Sequence, residues 1–191
     1  LSVGAGVSFV HASGLFSRSL CFNTPACTFA PGAAEAHMRL TDTSNAFAYN
    51  VGLLIKPLDN WKFGFSYRGR SDLRFDDADV KLGGVLGGQK VKADVQPLPL
   101  PPVINTGAHW QITPEWGAEL VYEYTRWSEF KTFKATFQSG PLPGFNLPQN
   151  WKDTSTVRFG SHYSWSKNLE LRGGFAVEEA PIPNATQNPS I

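Results

Sequence analysis

The sequence predicts an all-β chain, an antiparallel up-and-down sheet of about seven strands belonging to a transmembrane β-barrel. Three observations carry this. Apolar and polar residues alternate with a period of two along many segments, as in strands that are apolar on one face only. The connections between those segments alternate between short and long. The composition, 13% aromatic and 17% charged with 18 Gly and 14 Pro in 191 residues, suits pleated surfaces and turns better than helices.

The segments follow in order. LSVGAGVSFVH sets Leu1, Val3, Ala5, Val7 and Phe9 against Ser2, Gly4, Gly6 and Ser8. AFAYNVGLLIK sets Phe47, Tyr49, Val51, Leu53 and Ile55 against Ala48, Asn50, Gly52 and Lys56. NWKFGFSYRGR sets Trp61, Phe63, Phe65 and Tyr67 against Lys62, Ser66, Arg68 and Arg70. PVINTGAHWQI and EWGAELVYEYT repeat the pattern with Ile104, Ala108 and Trp110, then Trp116, Leu120, Tyr122 and Tyr124. Opposite these stand Asn105, Gly107 and His109, then Glu119 and Glu123. DTSTVRFGSHYSW and NLELRGGFAVE place Val157, Phe159, Tyr163 and Trp165, then Leu169, Leu171, Phe175 and Val177, against Arg158, His162, Glu170, Arg172 and Glu178.

Tight turns are expected at residues 57–60, 113–116 and 166–168, each containing Pro, Asp, Asn or Ser where a turn favours them. Long loops are expected at about 12–45, 76–95 and 139–150. Short turns at one end and long loops at the other describe an outer-membrane barrel. The polar face mixes Lys62, Arg68, Arg158, Arg172, Glu119 and Glu123 with Gly, Ser and Thr, which suits a wet lumen where opposite charges pair across strands. The other face carries Trp61, Trp110, Trp116 and Trp165 near strand ends, as an interfacial girdle requires. The aromatic face is therefore expected to meet lipid; a soluble β-sandwich with that face as its core is the alternative. Seven strands leave open edges, which lipid does not tolerate, so the chain reads as the middle of a longer barrel.

Other functions find little support. A net charge of +1 gives no electrostatic footprint for nucleic acid. GGVLGG lacks the order of a phosphate-binding loop, and neither HExxH nor GxSxG occurs, so no enzyme, catalytic residue or cofactor is expected. DDAD at 76–79 lacks calcium-loop spacing, and no metal is expected. Cys21 and Cys27 in CFNTPAC are spaced to close a small loop disulfide in an oxidising compartment, the expectation taken here; two free thiols are the alternative. Glu119, Glu123, Arg158 and Arg172 read as a structural charge network rather than an acid–base site.

Several phrases together resemble a known family. LSVGAGVSFVHA, FAYNVGLLIKPLDNWKFGFSYRGR, LPLPPVINTGAHWQITPEWGAELVYEYTRWSEF, KDTSTVRFG and GFAVEEAPIPNATQNPSI look like segments of the FadL-type transporters. These are outer-membrane proteins for long-chain fatty acids, with relatives that take up aromatic hydrocarbons. The resemblance implies strands five to eleven of a 14-stranded barrel, with residues 1–191 as its middle portion and the lumen-plugging hatch and other strands absent. It further implies a bacterial outer-membrane location, surrounding lipid, a monomer when complete, and passive transport of hydrophobic compounds.

By the same resemblance, segments 12–45 and 76–95 correspond to two extracellular loops forming an apolar docking groove. The groove residues expected here are Leu15, Phe16, Leu20, Phe22, Phe29, Leu82, Val85 and Leu86, with packing of the loops on themselves as the alternative. Arg18, Arg68 and Arg70 are the candidates to bind a carboxylate. Long-chain fatty acids are the first expected substrate and aromatic hydrocarbons the second. A general porin, or a β-protein binding carbohydrate or a partner, are the alternatives from other classes.

Overall fold

Strand pairing turns the two-residue alternation into two continuous surfaces. The computed structural model describes residues 1–21, 35–84, 86–140 and 144–186. Its elements are β1 (Ser2–Cys21), β2 (Glu35–Leu58), β3 (Trp61–Arg68), β4 (Ser71–Gly84), β5 (Lys90–Leu100), β6 (Val103–Gln111) and β7 (Trp116–Thr125). A 3-10 turn (Trp127–Glu129), β8 (Thr132–Phe137), β9 (Phe145–Pro148), β10 (Thr154–Ser166) and β11 (Leu169–Glu178) follow. The 11 strands form one sheet.

Seven of them, in the order β1–β2–β3–β6–β7–β10–β11, make a meander with antiparallel neighbours throughout. These are the seven segments expected from the alternation, joined in pairs by the three expected tight turns. Register carries each apolar row across this wall. Ile55, Phe63, Ala108, Leu120, Phe159 and Phe175 stand side by side, as do Leu53, Phe65, Thr106, Tyr122, Val157 and Val177. Trp61 pairs with Trp110 near the tight-turn end. Toward the other end Phe9 meets Phe47 at 5.5 Å and Tyr49 meets Tyr67 at 6.0 Å. The two aromatic levels fit the girdles of a barrel. From Phe47 to Ile55 is eight residue steps, about 27 Å along a strand and roughly 20 Å of height at a tilt of ~40°, close to the ~25 Å apolar band of such barrels.

The remaining strands continue the sheet beyond the wall. β2 keeps β1 along one edge over nearly its whole length. Its other edge takes β3 at residues 50–58 and β4 at residues 36–41. The upper sheet then runs β1–β2–β4–β5–β8–β9. It curls until its ends meet, with Phe16 of β1 stacked on Phe145 of β9 at 5.7 Å. The segments expected as loops at 12–45 and 76–95 are therefore largely strand where they are described, and 139–150 contributes β9. A membrane crossing needs only about 9–11 residues of strand, so the 24 residues of β2 reach far past it.

The faces exchange polarity on leaving the wall. Below Phe9 and Phe47 the outward parity is apolar; above them it carries His11, Ser13, Asn45, Thr43 and Arg39. The inward parity changes the opposite way, from Gly4, Gly6 and Ser8 to Val10, Ala12 and Phe16. The physical cause is a change of solvent. In an outer-membrane barrel a wall has lipid outside and a wet lumen inside, whereas the upper sheet buries its apolar side in a core of its own. That core contains Met38, Leu40, Phe75, Val80, Leu82, Val95 and Ala135, all nearly inaccessible.

Candidate ligand-binding face and the hollow beneath the upper sheet

The polar face of the wall forms rows of its own. Gly52, Ser66, Asn105, Glu123, Thr156 and Glu178 make one, and His109, Glu119, Gly160 and Gly174 another. Glu123 receives both terminal nitrogens of Arg158 from the neighbouring strand, Nη1 to Oε2 at 3.2 Å and Nη2 to Oε1 at 3.3 Å. This is the cross-strand pairing expected of a lumen. Arg172 likewise pairs with Glu170 on its own strand. The hollows of the sheet lie mainly against this face, one of them lined by His109, Glu119, His162, Glu170 and Arg172.

Glycines on the wall give rings room. A side chain at Gly117 would collide with the imidazole of His162. His162 on β10 thus lies over the β7 backbone and its ring stands 6.0 Å from that of His109 on β6, nearly parallel. In the same way the Tyr49 ring covers Gly69, whose amide donates to the Tyr49 carbonyl at 2.9 Å.

A larger hollow of about 1050 Å³ sits where the wall meets the upper sheet. Val10, Ala48, Leu100, Pro101, Val103 and Trp127 supply apolar lining, and Asn50, Arg68, Glu123 and Thr125 supply the polar part. Its floor is the wall's inner face; its rim is the start of β6 and the Trp127–Glu129 turn. Asp153 holds that turn in place, accepting from the Ser128 amide at 2.8 Å and from the Tyr124 hydroxyl at 2.7 Å. Desolvation pushes the Asp153 carboxyl up, but the hydrogen bonds from Ser128 and Tyr124 outweigh it and leave the group below its ordinary value.

The three candidate arginines have different surroundings. Arg68 lines the hollow and forms no ion pair with a described residue. Arg70, just past β3, is bound to Asp72 at 2.8 Å and Glu129 at 2.6 Å. Its hydrogen bond to Asp72, and then the charge of Glu129, hold its guanidinium more firmly protonated than usual. Arg18 lies near the far end of β1, opposite Met38.

The expected groove residues are divided among several settings. Leu15 is on the outer face and exposed. Phe16 is on the inner face against Phe133 and Phe145. Leu82 is within the core, and Leu86 packs at its margin. Leu20 and Cys21 end β1. Phe22, Cys27, Phe29 and Val85 fall outside the described residues, and the disulfide expectation falls there with them. Trp127, Leu100 and Pro101 were not singled out from sequence, although they sit inside the YTRWSEF and LPLPP phrases; an aromatic directly after a strand end was the available signal.

The comparisons with known proteins agree with this architecture. A family described as outer membrane protein transport protein (OMPP1/FadL/TodX) matches residues 1–191. The long-chain fatty acid transport protein of Escherichia coli (strain K12) is 27% identical over 157 residues, 76% of this chain and 34% of that protein. The 47 kDa outer membrane protein of Pasteurella multocida (strain Pm70) is 25% identical over 147 residues, covering 70% of this chain and 34% of the relative. The chain thus spans about a third of the length of these relatives. Among solved structures, a Pseudomonas aeruginosa FadL homologue superposes with a TM-score of 0.78 at 21% identity, over 98% of this chain and 48% of that one. The Ralstonia pickettii toluene transporter TbuX gives 0.70 at 23% identity, over 93% and 51%.

Proposed function

The chain belongs to the OMPP1/FadL/TodX family of outer membrane transport proteins, and we propose from that premise that it serves passive uptake of hydrophobic compounds, long-chain fatty acids foremost. One observation supports the choice of fatty acid. The hollow below the upper sheet sets apolar walls, Val10, Leu100 and Trp127, beside Arg68. An acyl chain would lie on the apolar lining while its carboxylate meets the guanidinium. Each methylene removed from water contributes about 0.8 kcal/mol, and a charge-assisted hydrogen bond fixes the head. Arg70 already has two carboxylate partners, so Arg68 is the better carboxylate-binding candidate.

Entry in this reading is by the apolar upper segments, with Leu15, Leu20, Phe22, Phe29 and Val85 meeting the ligand first. Phe16 and Leu86 then lead past the margin of the core that holds Leu82. The path needs no cofactor and no chemical step, only apolar surface along a protein route.

The test is uptake by cells carrying the full-length protein with Arg68→Gln. Oleate uptake should show a concentration for half-maximal rate raised about tenfold, the effect of losing one hydrogen bond to a charged group. Toluene uptake should not change. A second reading, an aromatic hydrocarbon channel, draws on the Phe16, Phe133 and Phe145 cluster. It predicts toluene uptake in the wild type and no oleate uptake to lose.

A further inference from the structure

The outer surface of the upper sheet carries like charges in a row. Register sets Arg39 of β2 beside Lys81 of β4, and Lys81 beside Lys90 of β5. All three are exposed, and none forms an ion pair with a described residue. Cations directly opposed on neighbouring strands repel one another. The neighbours do little to offset this. On the β1 side Arg39 faces Ser17, and the adjacent His37 bonds Ser19. One row below, Asp79 pairs with Lys92 at 2.8 Å. That carboxyl is held below its ordinary value by Lys92 first, then by Lys81 and Lys90. Asp77 and Asp42 also act on Lys92, so the acidic groups gather around Lys92, while Arg39, Lys81 and Lys90 keep no ion-pair partner among the described residues.

Position narrows the partner. The row lies on the face continuous with the lipid-facing wall. Arg39 is eight residue steps beyond Phe47 at the upper girdle, about 27 Å along the strand and roughly 20 Å in height at a ~40° tilt. A phospholipid headgroup layer is only about 5–8 Å thick per leaflet. A phosphate reaching this height must be carried on a taller headgroup. We propose that Arg39, Lys81 and Lys90 form a docking row for the phosphorylated saccharide core of lipopolysaccharide in the outer leaflet. The core's phosphates would neutralise the row and hold the upper sheet upright against the leaflet surface.

The test uses the full-length protein in detergent with three purified ligands: lipopolysaccharide with a phosphorylated core, the same molecule with its core phosphates removed, and lipid A alone. Wild-type protein should bind the first most tightly. The triple variant R39Q/K81Q/K90Q should bind it roughly 100-fold more weakly at low salt, from about a fivefold loss per cation. The control K131Q/K134Q should stay within about twofold, because general surface charge is screened and unspecific. Assembly is followed by heat-modifiable migration in electrophoresis. If the triple variant fails to assemble, Lys81→Glu alone must show the loss. Unchanged binding by the triple variant, an equal loss in the control, or equal wild-type affinity for lipid A alone would each overturn the proposal.

Discussion

Trp61 of β3 lies parallel to Trp110 of β6, ring centroids 5.3 Å apart and planes 6° apart. The two are direct cross-strand partners at the tight-turn end of the wall, where indoles find both an apolar body of lipid and a wet rim. Phe63 extends the stack at 5.6 Å. A double-mutant cycle of Trp61→Ala and Trp110→Ala should give a coupling of about 0.5–1.5 kcal/mol in denaturant unfolding from lipid vesicles. Both emissions should be quenched by brominated lipid in the wild type. An absence of quenching would place the pair away from the bilayer.

The two faces of β3 should respond oppositely to charge. Phe65 stands mid-strand on the apolar face, and a side chain at Gly64, its neighbour on the polar face, meets open space. Phe65→Arg should cost about 2–4 kcal/mol of unfolding free energy near the bilayer centre, and Gly64→Arg less than ~1 kcal/mol. Equal costs would mean that the assignment of lipid and lumen faces fails.

Gly117 should not accept a side chain while His162 remains. Its replacement by Ala brings a methyl group into the His162 imidazole, and overpacking of this kind costs about 1–3 kcal/mol. Gly117→Ala combined with His162→Ala should recover most of the loss. Additive effects in that cycle would show that the two positions do not touch in the folded protein.

Acid should loosen the Trp127–Glu129 turn before it disturbs the wall. Asp153 has a lowered folded-state pKa, so its contribution is fully present above the unfolded value of about 3.9 and is lost as pH falls through the lower folded value. Brief pepsin digestion across that window should expose cleavage near residues 126–131 while the wall stays intact. Asp153→Asn should show the same exposure at neutral pH by trypsin, with cuts at Arg126 or Lys131. A turn equally protected at neutral pH in both proteins would remove Asp153 from this role.

The seven wall strands were legible in the sequence because each is apolar on one side only. Residues such as Phe63, Phe65 and Tyr67 then alternate cleanly with Lys62, Ser66 and Arg68, and the turn residues at 57–60, 113–116 and 166–168 mark where the chain reverses. That alternation, with the long connections gathered at one end, determined the all-β class, the meander and the faces. The sequence phrases carried the family.

Tertiary structure alone decided what lies above the wall. Met38 and Leu40, Val80 and Leu82, and Val91, Ala93 and Val95 alternate too, but a period of two does not say whether the apolar side meets lipid or a core. That depends on which strand lies alongside, and β2 changes its partner from β3 to β4 partway along one edge. Long-range strand pairing brings Phe16 to Phe145 and His109 to His162, and sets Arg68 and Trp127 on one hollow, from distant parts of the chain. Local sequence encodes the face on which each side chain projects, whereas its neighbours are set by long-range register, a property of the whole sheet.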